Sequence, residues 1–349
     1  MARKPTPAAN NSGVIDIGLD IGYGATKAIM GDQSIIFPSV RAFARQTKYQ
    51  PEELSNNHPG DQIFDDDGRD WFIGDLAVKH SLVGEQFRLR GRTANESALG
   101  NNFRITMMKA ALGKLFAGVK NGDAVHVRIA TGLPVDHMRD AGELKAALVG
   151  THRVKTDVTD LVVNVAQVMV MPQPYGTIYS RMLTEQGLIN KCHTANRTGV
   201  CDVGTYTVDL CLDDDGEYID SQSGSVEGGV YMTQDRIAQA IQRDFRHTAG
   251  IRELESVLRS GCVKISGETH DYSAEVQEAL EPLRNATLTL MNGRWGTGAG
   301  VDVIYVSGGG AALVFEDVKE AYKQAVLVEN AQFANARGYL NYARFSAQE

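Results

Sequence analysis

Residues 14–30 read Val14-Ile15-Asp16-Ile17-Gly18-Leu19-Asp20-Ile21-Gly22-Tyr23-Gly24-Ala25-Thr26-Lys27-Ala28-Ile29-Met30. An apolar strand pattern runs into a glycine turn and out into apolar residues again, the pattern of a β-hairpin. Gly31-Asp32 supplies the next turn and Ser34-Ile35-Ile36-Phe37 a returning strand. Gly22 and Gly24 are free to take positive φ and to let the backbone approach a bound group closely. The amides of Gly22, Gly24, Ala25 and Thr26 are placed to form a concave nest for phosphate oxygens. The Thr26 hydroxyl and the Lys27 charge stand beside it. Asp20 lies at the strand end, where a carboxylate holds a hydrated Mg²⁺ through its waters.

One glycine hairpin is weak ground for a site, because ordinary hairpins carry glycines at their tips. A second copy changes the odds. Val200-Cys201-Asp202-Val203-Gly204-Thr205-Tyr206-Thr207-Val208-Asp209-Leu210 repeats the order of apolar strand, Asp, apolar residue, Gly, small polar residues and apolar strand. Asp213-Asp214-Asp215-Gly216 then forms a turn before Glu217-Tyr218-Ile219-Asp220. Asp20 matches Asp202 and Gly22 matches Gly204, both at an offset of 182. Repetition of a supersecondary unit at about half the chain length is a fold-level signal. Two such hairpins facing each other would clamp a nucleoside triphosphate and its metal.

Composition narrows the class. A chain of 349 residues suggests two domains, since domains commonly run to ~100–200 residues. A hydrophobic share of 43% is ample for globular cores. The net charge of −8 argues against broad, sequence-independent nucleic-acid binding. No run approaches the ~18 apolar residues of a membrane span. The basic start, Met1-Ala2-Arg3-Lys4-Pro5-Thr6-Pro7, is not followed by the apolar core of a signal peptide. Cys192, Cys201, Cys211 and Cys262 show no C-x-x-C spacing. That usage fits a reducing, cytoplasmic setting. The eight histidines show no metal spacing.

Along the chain, residues 1–13 read as a disordered arm. Domain I is expected over 14–172, with a small inserted subdomain at about 40–100. There Asp65-Asp66-Asp67-Gly68 reads as a hairpin tip between Gln62-Ile63-Phe64 and Trp71-Phe72-Ile73, and Arg88, Arg90 and Arg92 cluster in a loop. Helices are expected from Gly74, over Ile105–Val119, Arg139–Val149 and Thr177–Leu188, with strands at Val125–Ala130 and Val158–Met171. Domain II is expected over 173–333. Its helices are Met232–Phe245, Ile251–Leu258, Ser273–Leu290 with a kink at Pro282, and Ala312–Tyr322; its later strands are Val301–Val306 and Ala325–Val328. A C-terminal helix within 334–349 is expected to pack back on domain I. Strands alternating with helices, twice over, give two α/β domains.

Asp20-Ile21-Gly22-Tyr23-Gly24, with Thr26-Lys27, resembles the first phosphate motif of the actin, DnaK-type chaperone and hexokinase superfamily. Asp202-Val203-Gly204-Thr205 resembles the second, and Val306-Ser307-Gly308-Gly309-Gly310 the adenosine motif. Pro172-Gln173-Pro174 falls where the first interdomain connector belongs, and Asn330-Ala331-Gln332-Phe333-Ala334-Asn335-Ala336-Arg337-Gly338 resembles the second. These motifs span nearly the whole chain in the right order. Within the superfamily, Thr131-Gly132-Leu133-Pro134-Val135, Phe72-Ile73-Gly74-Asp75-Leu76-Ala77 and Phe333–Gly338 are similar to segments of prokaryotic actin-like proteins of the ParM/StbA group. Gln173 stands where many of that group carry an acidic residue, as glutamine does in eukaryotic actin. The subfamily is therefore left open.

The resemblance implies a two-domain actin-like ATPase fold, with two ribonuclease H-like halves flanking a nucleotide cleft. It implies nucleotide binding by Asp20, Gly22, Tyr23, Gly24, Thr26, Lys27, Gly204, Thr205, Thr207, Glu227, Gly228, Gly229, Ser307, Gly308, Gly309 and Gly310. Asp20 and Asp202 would hold Mg²⁺ through water, and Asp235 and Arg236 are further candidates for base contacts. Gln173, with Asp202 close by, would orient the attacking water. Phosphoryl transfer is mostly positioning and charge neutralisation, and glutamine is a poor base, so slow turnover is expected.

The implied function is a nucleotide-dependent, filament-forming ATPase (ATP or GTP) in plasmid segregation or a related prokaryotic cytoskeletal task. Its partners would be copies of itself and a DNA-binding adaptor, with no direct nucleic acid and no membrane. A sugar-type kinase of the same superfamily is the alternative. It needs a carboxylate base at its acceptor hydroxyl, and no convincing candidate stands in the sequence. A chaperone nucleotide-binding domain is the third reading, and no substrate domain follows the last helix.

Overall fold

The computed structural model describes residues 13–45, 59–64, 69–89, 96–119 and 124–348. The chain forms two compact units, one comprising residues up to His193 and from Phe333 onward, the other Thr194–Gln332. The expected arm at 1–13, apart from Gly13, the hairpin tip at 65–68, and Arg90 and Arg92 lie outside the described residues.

The first unit opens with β1 (Ile15–Ile21), β2 (Ala25–Met30) and β3 (Gln33–Pro38), an antiparallel meander. A small three-stranded sheet follows, β4 (Arg41–Phe43), β5 (Gln62–Ile63) and β6 (Trp71–Ile73), with α1 (Gly74–His80) after it. Helix α2 (Glu96–Leu115) leads to β7 (Ala124–Leu133). A 3-10 turn at Val135–Asp140 and α3 (Ala141–Leu148) take the place of the single helix expected from Arg139. Strands β8 (Gly150–Lys155) and β9 (Asp160–Pro172) and helix α4 (Gln173–Met182) come next. The main sheet runs β3-β2-β1-β7-β9-β8, with β1, β7 and β9 parallel. Strand β8 escaped the sequence reading because it is a polar edge strand in which only Val154 is buried.

Strand β1 is central, so both of its faces are covered, and the pleat divides them by parity. Ile15, Ile17, Leu19 and Ile21 join the core built with Phe103, Met107, Leu112 and Leu115 of α2. Asp16, Gly18 and Asp20 therefore share the opposite face. In the antiparallel register Gly18 lies across from Ile29 and Asp20 across from Lys27.

The second unit repeats this plan. Strands β10 (Arg197–Val203), β11 (Thr207–Asp214) and β12 (Glu217–Tyr218) form the meander, and β13 (Gly224–Glu227) pairs with β11. Helices α5 (Gly229–Phe245) and α6 (Ile251–Ser260) follow. A hairpin of β14 (Cys262–Ile265) and β15 (Glu268–Asp271) comes next. Its loop residues, Ser266 at φ +50° and Gly267 at +92°, both lie in the left-handed region that two-residue hairpin turns require. Helix α7 (Ser273–Trp295), strand β16 (Val303–Ser307), α8 (Ala311–Ala321) and β17 (Ala325–Leu327) complete the unit. Helix α7 continues through Pro282 and is longer than expected, because Val276, Ala279, Leu280, Leu283, Thr287 and Met291 keep one buried stripe on both sides of the proline. The sheet order is β12-β11-β10-β16-β17, with β10, β16 and β17 parallel. A meander followed by parallel strands beside its first member appears in both units.

The chain then returns to the first unit as α9 (Ala334–Phe345). It lies on the Gly18 face of the sheet, where Ala336 and Leu340 pack with Ile29. A Cβ at Gly18 would overlap the Ala336 carbonyl, and one at Gly338 would overlap the Gly176 carbonyl of α4. Either change overpacks the layer, at a cost of about 1–3 kcal/mol or more. The Thr177 hydroxyl donates to Asn335 Oδ1 at 2.9 Å, and Asn341 Nδ2 donates to the Leu183 carbonyl at 3.1 Å. These contacts hold α4 in the first unit, so the division falls after His193 and not after Pro172, where the sequence reading put it. Helix α4 also starts at Gln173, not at Thr177. Pro174 occupies its second position, where a missing N–H costs nothing.

Candidate functional site

In parallel α/β sheets, ligands bind beyond the carboxyl ends of the strands. In the first unit Asp20 is the penultimate residue of β1, Gly132 the penultimate residue of β7, and Gln173 follows β9 directly. Asp20 is 3% exposed. Its Oδ2 accepts from Lys27 Nζ at 2.9 Å, and its Oδ1 accepts from Gln173 Nε2 at 3.2 Å. Lys27 and Gln173 thus converge on one buried carboxylate that the sequence separates by as many as 153 residues.

The turn itself is closed by the Gly22 amide donating to the Ala25 carbonyl at 3.2 Å. Neither Gly22 nor Gly24 takes a positive φ. What Gly22 provides is room: a Cβ there would lie 3.0 Å from the Ala25 carbonyl oxygen and 3.5 Å from Lys27 Nζ. Tyr23 and Gly24 form the tip. Thr26 is fully buried, its hydroxyl 2.9 Å from Ser39 Oγ. Parity puts it on the face opposite Lys27, so its hydroxyl serves the interior while Lys27 serves the Asp20 face.

In the second unit Asp202, at the end of β10, lies across from Asp209 of β11 and beside Ser307 of β16. The Gly204 amide donates to the Thr207 carbonyl at 2.9 Å, the same turn bond at the same offset of 182 residues. Gly204, like its counterpart, has no positive φ. The Thr207 hydroxyl donates to Asp209 Oδ2 at 2.7 Å. Cys201, the neighbour of Asp202 on β10, faces the core on the other side of the sheet; burial first, then Asp202 and Asp209, push its thiol well above the ordinary range, so it stays protonated and inert.

Two further segments meet this hairpin. Gly228 takes φ +128° and precedes α5, and its amide donates to the Tyr206 carbonyl at 2.7 Å. The next amides, of Val230 and Tyr231, donate to the carbonyls of Gly204 and Thr205 at 3.0 and 2.7 Å. A Cβ at Gly229 would come within 2.5 Å of the Gly204 carbonyl oxygen. The first amides of α5 are therefore spent on fixing the hairpin tip. Glu227 pairs with Thr207 in the β13–β11 ladder. Asp235 and Arg236 are exposed on α5, and Asp235 accepts from Gln239 Nε2 at 2.8 Å.

The second segment is Ser307-Gly308-Gly309-Gly310. Gly308 takes φ +90°, and a Cβ there would overlap Asp202 Oδ1. Its amide donates to the Ala331 carbonyl at 3.1 Å, and the Gly310 amide to the Val203 carbonyl at 2.9 Å. Gly309 is exposed and open: a Cβ there would find only Gln332 Nε2, at 4.0 Å. Helix α8 starts directly after this loop.

A carboxylate at a strand end, taken in each unit by itself, suits a hard, water-carrying cation such as Mg²⁺. Open glycine backbone around Gly309 leaves room for the group it would neutralise. Asp20 in the first unit and Asp202 in the second are each candidates to hold such a cation, which would supply charge neutralisation at phosphate. Sequence reasoning missed Asp209, Ser39 and Tyr339. Asp209 was legible, since it occupies the Lys27 position of the second copy. Tyr339 and Ser39 carry no local signal; they matter through contacts made over long sequence separations.

Two family models match successive parts of the chain. Residues 18–176 match the N-terminal domain of actin-like proteins, and residues 200–320 match the C-terminal domain of the archaeal, MreB-like actin homologue. No curated protein matches the chain. Among solved structures, the archaeal actin homologue Ta0583 superposes at TM-score 0.76, and its complex with ADP at 0.74, each with 21% identity over 96% of this chain and 99% of that one. A ParM from a 15-stranded filament of Clostridium botulinum gives 0.76 and 22%, over 95% and 99%. The apo ParM of pSK41 gives 0.71 and 19%, over 96% and 98%. The two models divide the chain as the repeated sheet does, one copy of the hairpin in each, and on that agreement the chain belongs to the prokaryotic actin-like proteins.

Proposed function

We propose that this protein binds and hydrolyses ATP or GTP with Mg²⁺ and that the nucleotide controls its assembly into filaments. The observation that carries the reading is the doubled hairpin. Two buried aspartates sit at equivalent strand ends, each above a turn with one shared backbone bond. The first carries a lysine across the ladder and a glutamine from the start of α4. Phosphate oxygens need amide donors and cations; hydrolysis needs one more group to orient water. Because the Gln173 amide nitrogen donates to Asp20, its oxygen is the atom left to accept from a water. Gln173 thus acts by orientation, and turnover is slow.

The relatives support the assembly half. The archaeal homologue binds ADP, and the Clostridium botulinum ParM and Alp12 form filaments. Plasmid or other DNA segregation through an adaptor, in the cytoplasm, is the task that fits these relatives. Among the described residues no helix is long and apolar enough to cross a membrane.

Sedimentation and light scattering with Mg²⁺ and ATP, GTP or ADP test the reading. Polymer is expected with a triphosphate and is expected to fall as it is consumed. A chain that stays monomeric with every nucleotide, yet phosphorylates a sugar, would replace this reading with the kinase one.

A further inference from the structure

We infer that Tyr339 is a positioning residue for Gln173, holding its backbone while Asp20 holds its side chain. The inference rests on the reading of Gln173 as the group that orients water. Tyr339 is fully buried on α9. Its phenol donates to the Gln173 carbonyl at 3.1 Å. The passage it occupies is kept clear by two glycines: a Cβ at Gly132 would overlap the hydroxyl, and one at Gly176 would lie 2.7 Å from Cε1. Phenylalanine would fill this space equally well. The hydroxyl is the part that packing does not demand, and a buried hydroxyl needs an acceptor. It finds one on the first residue of α4, which follows the last residue of β9.

That placement matters because Gln173 reaches Asp20 through three rotatable bonds. Its amide arrives 3.2 Å from Asp20 Oδ1 only if the Cα–Cβ bond starts in the right direction. The carbonyl it shares with Tyr339 sets that direction. The Thr177–Asn335 hydrogen bond fixes the next turn of α4 on the same helix. Gln173 is therefore held at both ends, its carbonyl by Tyr339 of α9 and its side-chain amide by Asp20 of β1.

Tyr339→Phe removes one oxygen and leaves the packing. Nucleotide affinity and KM are expected to stay within about twofold, and kcat for phosphate release to fall by about threefold to tenfold, the size of one lost neutral hydrogen bond. The decisive comparison is the same change in a Gln173→Ala background. If Tyr339 acts by aiming the amide, the second substitution has nothing left to aim and kcat does not fall further. Equal losses in both backgrounds, or an unchanged kcat in Tyr339→Phe, would overturn the inference while leaving Gln173 in place. Normal hydrolysis by Gln173→Ala alone would remove Gln173 from the chemistry, and the inference with it. Nucleotide affinity and Tm measured on each variant separate lost folding from lost chemistry.

Discussion

Asp20 and Asp202 occupy the same place in two copies of one hairpin, yet Asp20 lies across from Lys27 and Asp202 across from Asp209. The backbones agree closely. Both turns are closed by a glycine amide on the carbonyl three residues later, at 3.2 and 2.9 Å. The charges oppose. In the first hairpin the cross-strand neighbour offsets the buried carboxylate; in the second it adds to it. The two copies thus share the turn bond and differ in the charge beside it. A nest of backbone donors depends on turn geometry alone, so its side-chain surroundings are free to specialise. The first copy carries a ready-made cation and the amide of Gln173. The second carries carboxylates beside a glycine-rich loop.

The contrast predicts unequal consequences for equivalent positions. Lys27→Ala leaves Asp20, whose side chain is 4% exposed, without its ammonium partner. Breaking a buried pair from one side costs about 3 kcal/mol, so chemical denaturation of the nucleotide-free protein should show a clear loss. A loss near zero would mean that Asp20 is solvated and that the first hairpin is not self-neutralised.

At the matching position the effect is expected to be small and of opposite sign. Asp209→Asn preserves shape and keeps an acceptor for the Thr207 hydroxyl, while removing a like charge across from Asp202. Like charges at directly opposed strand positions destabilise by roughly 0.2–1 kcal/mol, so stability should hold or rise by that much. A loss above about 2 kcal/mol would show that the Asp209 carboxylate is held by positive charge, and the contrast with Lys27 would close.

The doubling itself was legible from residues alone, because it is written locally. Asp, Gly and small polar residues recur at a constant offset, and the ladder registers follow. The two-domain actin-like fold followed from the same motifs. Pairings over long distances were less legible. That Thr26 faces Ser39 and Lys27 faces Asp20 follows from strand parity once β2 is placed, but the hairpin pattern alone offered both residues as phosphate ligands. The start of α4 was misread because the two prolines around Gln173 suggest a break, although a proline at the second helical position is harmless. The role given to the glycines also changed. Gly22 and Gly24 were expected to turn the chain through positive φ, and neither does; what Gly22 supplies, like Gly204 in the second copy, is the missing Cβ beside a carbonyl oxygen, 3.0 and 3.1 Å from where it would stand. The α4–α9 crossing could not be read at all, since Gly18, Gly176 and Gly338 are small for the sake of partners in distant segments.

The proposed nucleotide binding requires both copies of the hairpin, and calorimetric titration with Mg-ATP tests it most directly. Asp20→Ala, Gly204→Val and the unaltered protein are compared, with melting curves run on each. Asp20→Ala removes a carboxylate that would hold the cation, and Gly204→Val crowds the Thr207 carbonyl and closes the turn to phosphate. Each is expected to weaken affinity by about tenfold or more, at least 1.4 kcal/mol. Unchanged affinity in both folded variants would contradict the account, because neither hairpin would then be part of a nucleotide site.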